Sequence, residues 1–181
     1  GLQETLKLAT GMFAIALLDK QEDKLFLVRD RFGEKPLYYG FIGFGTERSL
    51  VFASEISAIT KIPFFKKEIN PISLDYYLRL SYVPNPISIY KNISKLKAGC
   101  MAIFNLDEDL FNNKEKILTW CSYQKLYSEN KNSKFKSENE ALYELDKVIR
   151  RSALEQSVSD VPLGCFLSGG IDSSLIASSL Q

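Results

Sequence analysis

The sequence predicts a mixed α/β chain, β-rich over its first third and helical toward its end. Three observations carry that expectation. Short apolar runs of strand length, separated by polar or glycine-containing turns, fill residues 1–60. One long pattern of 3–4 spacing lies near 137–158. An apolar run, Val161–Leu167, leads into the glycine-rich SGGIDSS and then into a second apolar stretch, Leu175–Leu180.

Taken in order, Met12–Asp19 (MFAIALLD) is apolar on both faces and predicts a strand covered on both sides. Lys24–Asp30 (KLFLVRD) follows a polar turn at Lys20–Asp23, so the pair predicts a hairpin. Arg31–Lys35 is a glycine-containing turn. Pro36 then introduces a third strand, Leu37–Phe41, where a proline at the strand start costs no ladder bond. Gly43–Ser49 is another turn and Leu50–Ala53 a fourth strand, with Ser54 expected to cap a short helix over 55–60. Pro71–Ser81 predicts a helix with proline in its first turn and Leu74, Tyr77 and Leu78 on one face, ended by Val83–Pro86. Cys100–Phe104 and Ile117–Tyr123 are further strands, residues 107–116 are polar, and 128–139 is an exposed loop. Ser137 stands three residues before Glu140, a capping-box spacing, and opens a helix reaching Val158 with Leu142, Leu145, Val148, Ile149 and Leu154 near one face. Val161–Leu167 is expected as a short buried strand.

The 181 residues are 45% hydrophobic and 25% charged, with 23 Lys+Arg against 22 Asp+Glu. The balance excludes a disordered chain and a global basic field, so neither nucleic acid nor a membrane surface is expected as a partner. No apolar run is long enough to span a bilayer, and no signal peptide is visible. There is no histidine, which excludes Ser-His-Asp and Cys-His catalysis and histidine-dependent zinc sites within these residues. Cys100, Cys121 and Cys165 have no CxxC spacing and are expected to be reduced, buried thiols of a cytoplasmic protein.

The chemistry is concentrated in Ser168–Ser174. A strand, a glycine-rich turn and a helix start make an anion-binding unit. Gly169 and Gly170 allow positive φ and close backbone approach. The helix opening near Asp172–Ser174 offers free N–H groups and a positive dipole end. Ser168, Ser173 and Ser174 add hydroxyls. No GK[ST] follows, so this is not a Walker P-loop. Asp172 beside a phosphate would repel it unless a cation lay between, which points to Mg²⁺ bridging Asp172 and pyrophosphate oxygens. The alternatives are a glycine β-turn with a Ser/Asp cap for the loop, and a purely capping Asp172. Arg29, Asp30, Arg31 and Lys35 could form an anion site. The favoured expectation is that they fix their turn through ion pairs on a solvated edge. Phe32, Tyr38 and Tyr39 are expected in the core rather than around a substrate.

SGGIDSS resembles the pyrophosphate-binding loop of the ATP-pyrophosphatase superfamily. Upstream, Gly11–Asp19 (GMFAIALLD), Asp30–Tyr39 (DRFGEKPLYY) and Phe52–Ile56 (FASEI) resemble the last portion of the class II glutamine amidotransferase domain of the asparagine synthetase family. Tyr82–Pro84, Ile93–Gly99 and Val161–Ser174 resemble that family's domain junction and synthetase start. The resemblance is weaker at about 107–137. It implies the C-terminal part of an αββα Ntn-hydrolase-type glutaminase layer over residues 1–66. A connecting region over 67–136 would follow. Residues 137–181 would begin an adenine-nucleotide α-hydrolase-like, parallel-sheet domain, both domains being incomplete.

The implied activity is that of a glutamine-hydrolysing ligase. Ammonia from glutamine would amidate aspartate through an aspartyl-adenylate, with ATP as substrate and Mg²⁺ as metal. Leu167, Ser168, Gly169, Gly170, Asp172, Ser173 and Ser174 are the expected ATP/pyrophosphate residues. The family's nucleophile is an amino-terminal cysteine; residue 1 is Gly1, so no catalytic residue is carried onto these positions and the polypeptide alone is expected to be inactive. Glutamine, aspartate and ATP are the implied small-molecule partners, and a homodimer of the full-length enzyme is left open. Two other readings stand: a related amidotransferase or β-lactam synthetase-like enzyme acting on another carboxylate, such as a sugar acid, and a truncated non-catalytic polypeptide.

Overall fold

The computed structural model describes residues 1–44, 48–106, 115–131 and 135–180, arranged in two units. The first comprises Gly1–Lys7 and Met12–Ser122, and the second Leu8–Gly11 and Tyr123–Gln181. The chain is mixed α/β and its sheets are antiparallel.

The first unit begins with helix α1 (Leu2–Leu8) and the hairpin β1 (Ala14–Asp19) and β2 (Lys24–Arg29). The connection is fixed by Asp19, whose Oδ1 accepts the N–H groups of Gln21 and Glu22. Strands β3 (Tyr38–Ile42) and β4 (Ser49–Ala53) form a second hairpin, followed by the short helix α2 (Ile56–Ile59). Helix α3 (Pro71–Leu80), β5 (Ile93–Lys95), β6 (Cys100–Asn105) and β7 (Lys116–Thr119) complete the unit. One sheet has the order β1-β2-β6-β7 and the other β4-β3-β5.

Side chains alternate across a strand, and both faces of the central strands are apolar. Leu27, Ala102, Cys100 and Phe104 of the first sheet therefore meet Leu37, Tyr39 and Leu96, with Phe41 and Leu50 packed alongside. Their sequence neighbours Val28 and Met101 turn to the opposite face and bury Leu6 of α1. On the outer side of the second sheet, Ile42 and Ile93 bury Ile59 of α2. The core order is thus helix, sheet, sheet, helix. Each fully buried Leu, Val or Met contributes about 1.5–3 kcal/mol.

Several expectations change at this level. Strand β1 is not covered on both sides along its length. It is an edge strand, and Leu17 and Leu18 are exposed. The two-sided positions belong to β2 and β6. The cap of α2 is Glu55, one residue after Ser54, and makes no side-chain hydrogen bond. Helix α3 forms as expected, with Asn70 accepting the Ile72 N–H and Ser81 closing it in the left-handed region. Its buried residue is Ser73, which donates to Ser88 O at 2.6 Å. Leu74, Tyr77 and Leu78 are exposed instead: Leu74 and Leu78 lie about one hundred degrees or more around the helix from the buried Ser73, and Tyr77, on the Ser73 face, is about half accessible. The strand expected over Ile117–Tyr123 ends at Thr119, since Trp120 and Cys121 turn back to donate to Gly99 O. Part of the Gly43–Ser49 turn and most of the polar stretch 107–116 lie outside the described residues.

The second unit contains α4 (Tyr123–Asn130), α5 (Glu138–Gln156) and α6 (Ile171–Ser179). Helix α4 extends into the stretch expected to be a loop, of which residues 132–134 lie outside the description. Helix α5 starts where the capping-box spacing puts it, the Ser137 Oγ accepting the Glu140 N–H while Glu140 Oε2 accepts from Lys136 N. The pairs Asp146–Arg150 and Arg151–Glu155 lie along its surface, where solvent screening leaves each a small contribution. The predicted apolar face is present but not buried: Leu142, Leu145, Val148 and Leu154 are exposed.

Val161–Leu167 is not a buried strand. It pairs with no strand among the described residues, and Phe166 is 98% exposed. An apolar run becomes a strand only when a neighbouring strand satisfies its backbone, and every described sheet lies in the first unit. Of the thiols expected to be buried, only Cys100 is; Cys121 is half-buried and Cys165 exposed. Among the described residues no helix is long and apolar enough to cross a membrane.

Candidate functional site

The structure brings the predicted loop residues together at the start of α6. Gly169 takes φ +82°, a left-handed conformation that a side chain would strain. Gly170 is the N-cap, with φ −78° and ψ 161°, and has no side chain to cap the first turn. The N–H groups of Ile171, Asp172 and Ser173 therefore have no acceptor among the described residues. They open to solvent together with the positive end of the helix. Space over Gly169 is free, since a Cβ built there meets nothing within 4 Å, whereas one on Gly170 would lie 3.5 Å from Ser168 Oγ.

The three hydroxyls expected to serve as donors are engaged within the loop itself. Ser173 and Ser174 donate to Gly170 O at 3.1 and 2.8 Å, and Ser174 N reaches the same carbonyl at 3.1 Å. Ser168 Oγ lies 3.0 Å from Ser173 Oγ, which closes the loop on itself across the two glycines. This Ser168–Ser173 contact was missed by sequence reasoning; the signal was two serines flanking a Gly-Gly pair at a helix start. Asp172 lies in the first turn and is exposed, as are Leu167 and Ser168. No group of three or more acidic or sulfur ligands that could hold a metal occurs among the described residues. Asp172 supplies a single carboxylate, which suits a Mg²⁺ ion taking its remaining oxygens from phosphates and water.

A cavity of about 570 Å³ in the second unit lies between α5 and α6, lined by Val148, Ile149, Ser152, Leu163, Phe166 and Ile176 among others. The loop residues 167–174 are not part of its lining.

The other candidate, the Arg29–Lys35 turn, has a structural role. Asp30 is fully buried and accepts the N–H groups of Phe13, Phe32, Glu34 and Lys35 at 2.9–3.3 Å. Arg29 is also buried and donates to the carbonyls of Gly33, Lys35 and Leu96. The expected fixing of the turn is present, but Arg29 and Asp30 achieve it through backbone hydrogen bonds rather than on a solvated edge. Both charges are inside, and their hydrogen bonds go to backbone because a tight turn leaves its N–H and C=O groups unpaired. Burial pushes the Arg29 pKa down. Burial alone would raise the Asp30 carboxyl, but its four backbone donors outweigh that and hold it below the ordinary carboxylate value. Tyr39 is core, as expected, while Phe32 is 65% exposed, contrary to expectation, because the turn carries it outward.

A family model for the glutamine amidotransferase domain matches residues 1–116. The chain belongs to this family. A second model, asparagine synthase, matches residues 144–181 of the same amidotransferase chain and includes the Ser168–Ser174 loop. A Methanocaldococcus jannaschii protein, provisionally named asparagine synthetase [glutamine-hydrolyzing] 2, is 34% identical over 98% of this chain and 32% of its own length. Asparagine synthetases [glutamine-hydrolyzing] 2 and 1 of Bacillus subtilis are 34% and 33% identical over 92% and 97% of this chain, and over 22% and 25% of their own lengths. The chain therefore spans between 22% and 32% of the length of these curated relatives.

Proposed function

We propose that this amidotransferase-family chain serves a glutamine-dependent asparagine synthetase. The observation that carries the reading is the succession in one chain of a glutamine amidotransferase match over 1–116 and an asparagine synthase match over 144–181. The first would supply ammonia from glutamine. The second would activate the side-chain carboxylate of aspartate with ATP, releasing pyrophosphate, so that ammonia displaces AMP to give asparagine. The glutamine-hydrolysing activity in the relatives' names supports this reading.

Within the second half, the task of these residues is to hold the departing pyrophosphate. The N–H groups of Ile171, Asp172 and Ser173 would donate to its oxygens, and Gly169 and Gly170 would let it approach the backbone. The Ser168 and Ser173 hydroxyls would turn from each other to the phosphate. Leu167 would border the ATP site, and Ser174 would keep the first turn closed through Gly170 O. Asp172 would hold Mg²⁺ against the phosphates, lowering the repulsion between leaving group and carboxylate. The helix–sheet–sheet–helix order of the first unit, to which β5, β6 and β7 contribute beyond residue 66, supports a glutaminase layer of the αββα Ntn-hydrolase type, and residues 137–181 would begin an adenine-nucleotide α-hydrolase-like domain. Glutamine, aspartate and ATP are the proposed small-molecule partners, and the proposed compartment is the cytoplasm.

The test is ATP–pyrophosphate exchange by the whole gene product. Exchange that requires aspartate and Mg²⁺ is expected. Exchange that ignores aspartate but responds to another carboxylate would overturn the acceptor, and absence of exchange with any carboxylate would overturn the reading.

A further inference from the structure

A second cavity, of about 310 Å³, lies in the first unit, and none of its lining residues belongs to the loop or the turn described above. Its walls are the rings of Tyr38 from β3, Tyr77 from α3 and Tyr82, together with Ile56 and Ile89. Among the described residues one charged side chain lines it, Lys95 of β5, and no acidic residue does. The Lys95 ammonium donates to Val83 O and stands 6.0 Å from the centre of the Tyr38 ring. An ammonium has three N–H donors, and Val83 O is its one hydrogen-bond acceptor among the described residues. Two donors are therefore left at the edge of an aromatic cavity.

We propose that this cavity binds a small monocarboxylate bearing an aromatic or branched apolar group, its carboxylate on Lys95 and its apolar group among the tyrosines. The volume sits at the lower bound, about 300 Å³, of ordinary small-molecule pockets. The charge selects the sign: an amine would meet Lys95 with no acidic group to receive it, while a carboxylate gains charge-assisted hydrogen bonds. The apolar walls select against polyanions, whose additional charges would be desolvated without partners. Partial burial and the nearby Arg29 push the Lys95 pKa down, so an anion that replaces lost hydration is favoured here. The exposed Tyr77 and Tyr82 rings, 52% and 58% accessible, are the surfaces the apolar group would cover. The inference is independent of the synthetase reading.

The experiment is a calorimetric titration of the 181-residue chain with 3-phenylpropionate and with its neutral isostere 3-phenylpropionamide. One-site binding of the acid is expected, with the amide at least tenfold weaker. Lys95→Met should lower the acid's affinity at least tenfold and erase its advantage over the amide. Tyr77→Ser, at an exposed helix position, should weaken both ligands and keeps the test decisive where Lys95→Met does not fold. Equal affinities for acid and amide, no saturable binding of the acid, or full affinity in Tyr77→Ser would overturn the proposal.

Discussion

Asp30 and Phe13 hold each other twice: the Asp30 N–H donates to Phe13 O at 3.0 Å, and Asp30 Oδ2 accepts the Phe13 N–H at 3.3 Å. The same carboxylate takes three further N–H groups from the turn that follows β2. One buried charge thus ties the entry of β1 to the turn leading toward β3. Asp30→Asn keeps the shape but puts an NH₂ where backbone donors point. It should cost about 3 kcal/mol or more, since several buried N–H groups lose an acceptor at once. Urea unfolding of the two proteins measures the difference.

The pH dependence has a definite sign. The folded-state Asp30 carboxyl is held below its ordinary value. Its contribution is therefore fully present above the unfolded carboxylate pKa, about 3.9, and is lost as pH falls through the lower folded value. Urea midpoints taken from pH 7 down to acid should fall more steeply for the wild type than for Asp30→Asn. Parallel curves would show that Asp30 is not the responsible group.

Gly40 is the tightest approach between β3 and the segment entering β5. A Cβ there would overlap the backbone carbonyl of Asn92, the residue that enters β5, and would lie 2.9 Å from the Ile93 side-chain end Cδ1. Gly40→Ala must separate the strands, and a loss of about 3 kcal/mol or more is expected. Amide exchange should accelerate along β3 and β5 before the first sheet is affected. Gly164→Ala, with nothing within 4 Å, should stay within about 0.5 kcal/mol of wild type.

What the sequence discloses and what it hides follow one physical division. The hairpins β1–β2 and β3–β4 and the capped helices α3 and α5 are local, so strand alternation, turn residues and the Asn70 and Ser137 caps reveal them. Helix α1 and strand β5 are held by distant partners. Leu6 packs on Val28 and Met101, Arg31 donates to the carbonyls of Leu6 and Lys7 at the end of α1, and Ile93–Lys95 exists as a strand through β3. No periodicity in seven or three residues announces such contacts. The run Val161–Leu167 is the converse case: its composition suits a strand, but composition cannot supply the neighbouring strand. The candidate loop was legible because it is local, down to its glycines and helix start; the hydrogen bonds that close Ser168 on Ser173 were not.

The loop geometry makes one discriminating prediction for ligand binding. If the N–H groups of Ile171–Ser173 receive phosphate oxygens, pyrophosphate should bind the chain, and affinity should rise on adding Mg²⁺ because Asp172 then contributes through the cation. Asp172→Asn removes the repulsive charge as well as the metal contact. It should therefore leave metal-free pyrophosphate binding unchanged or tighter, while abolishing the Mg²⁺ enhancement. Gly169→Ala forces a side chain into φ +82° and should weaken binding in both conditions, because the cradle itself is distorted. Calorimetry with and without Mg²⁺ separates the cases. A variant Asp172→Asn that retains the Mg²⁺ enhancement would show that Asp172 merely caps α6, and the magnesium role would have to pass to other residues.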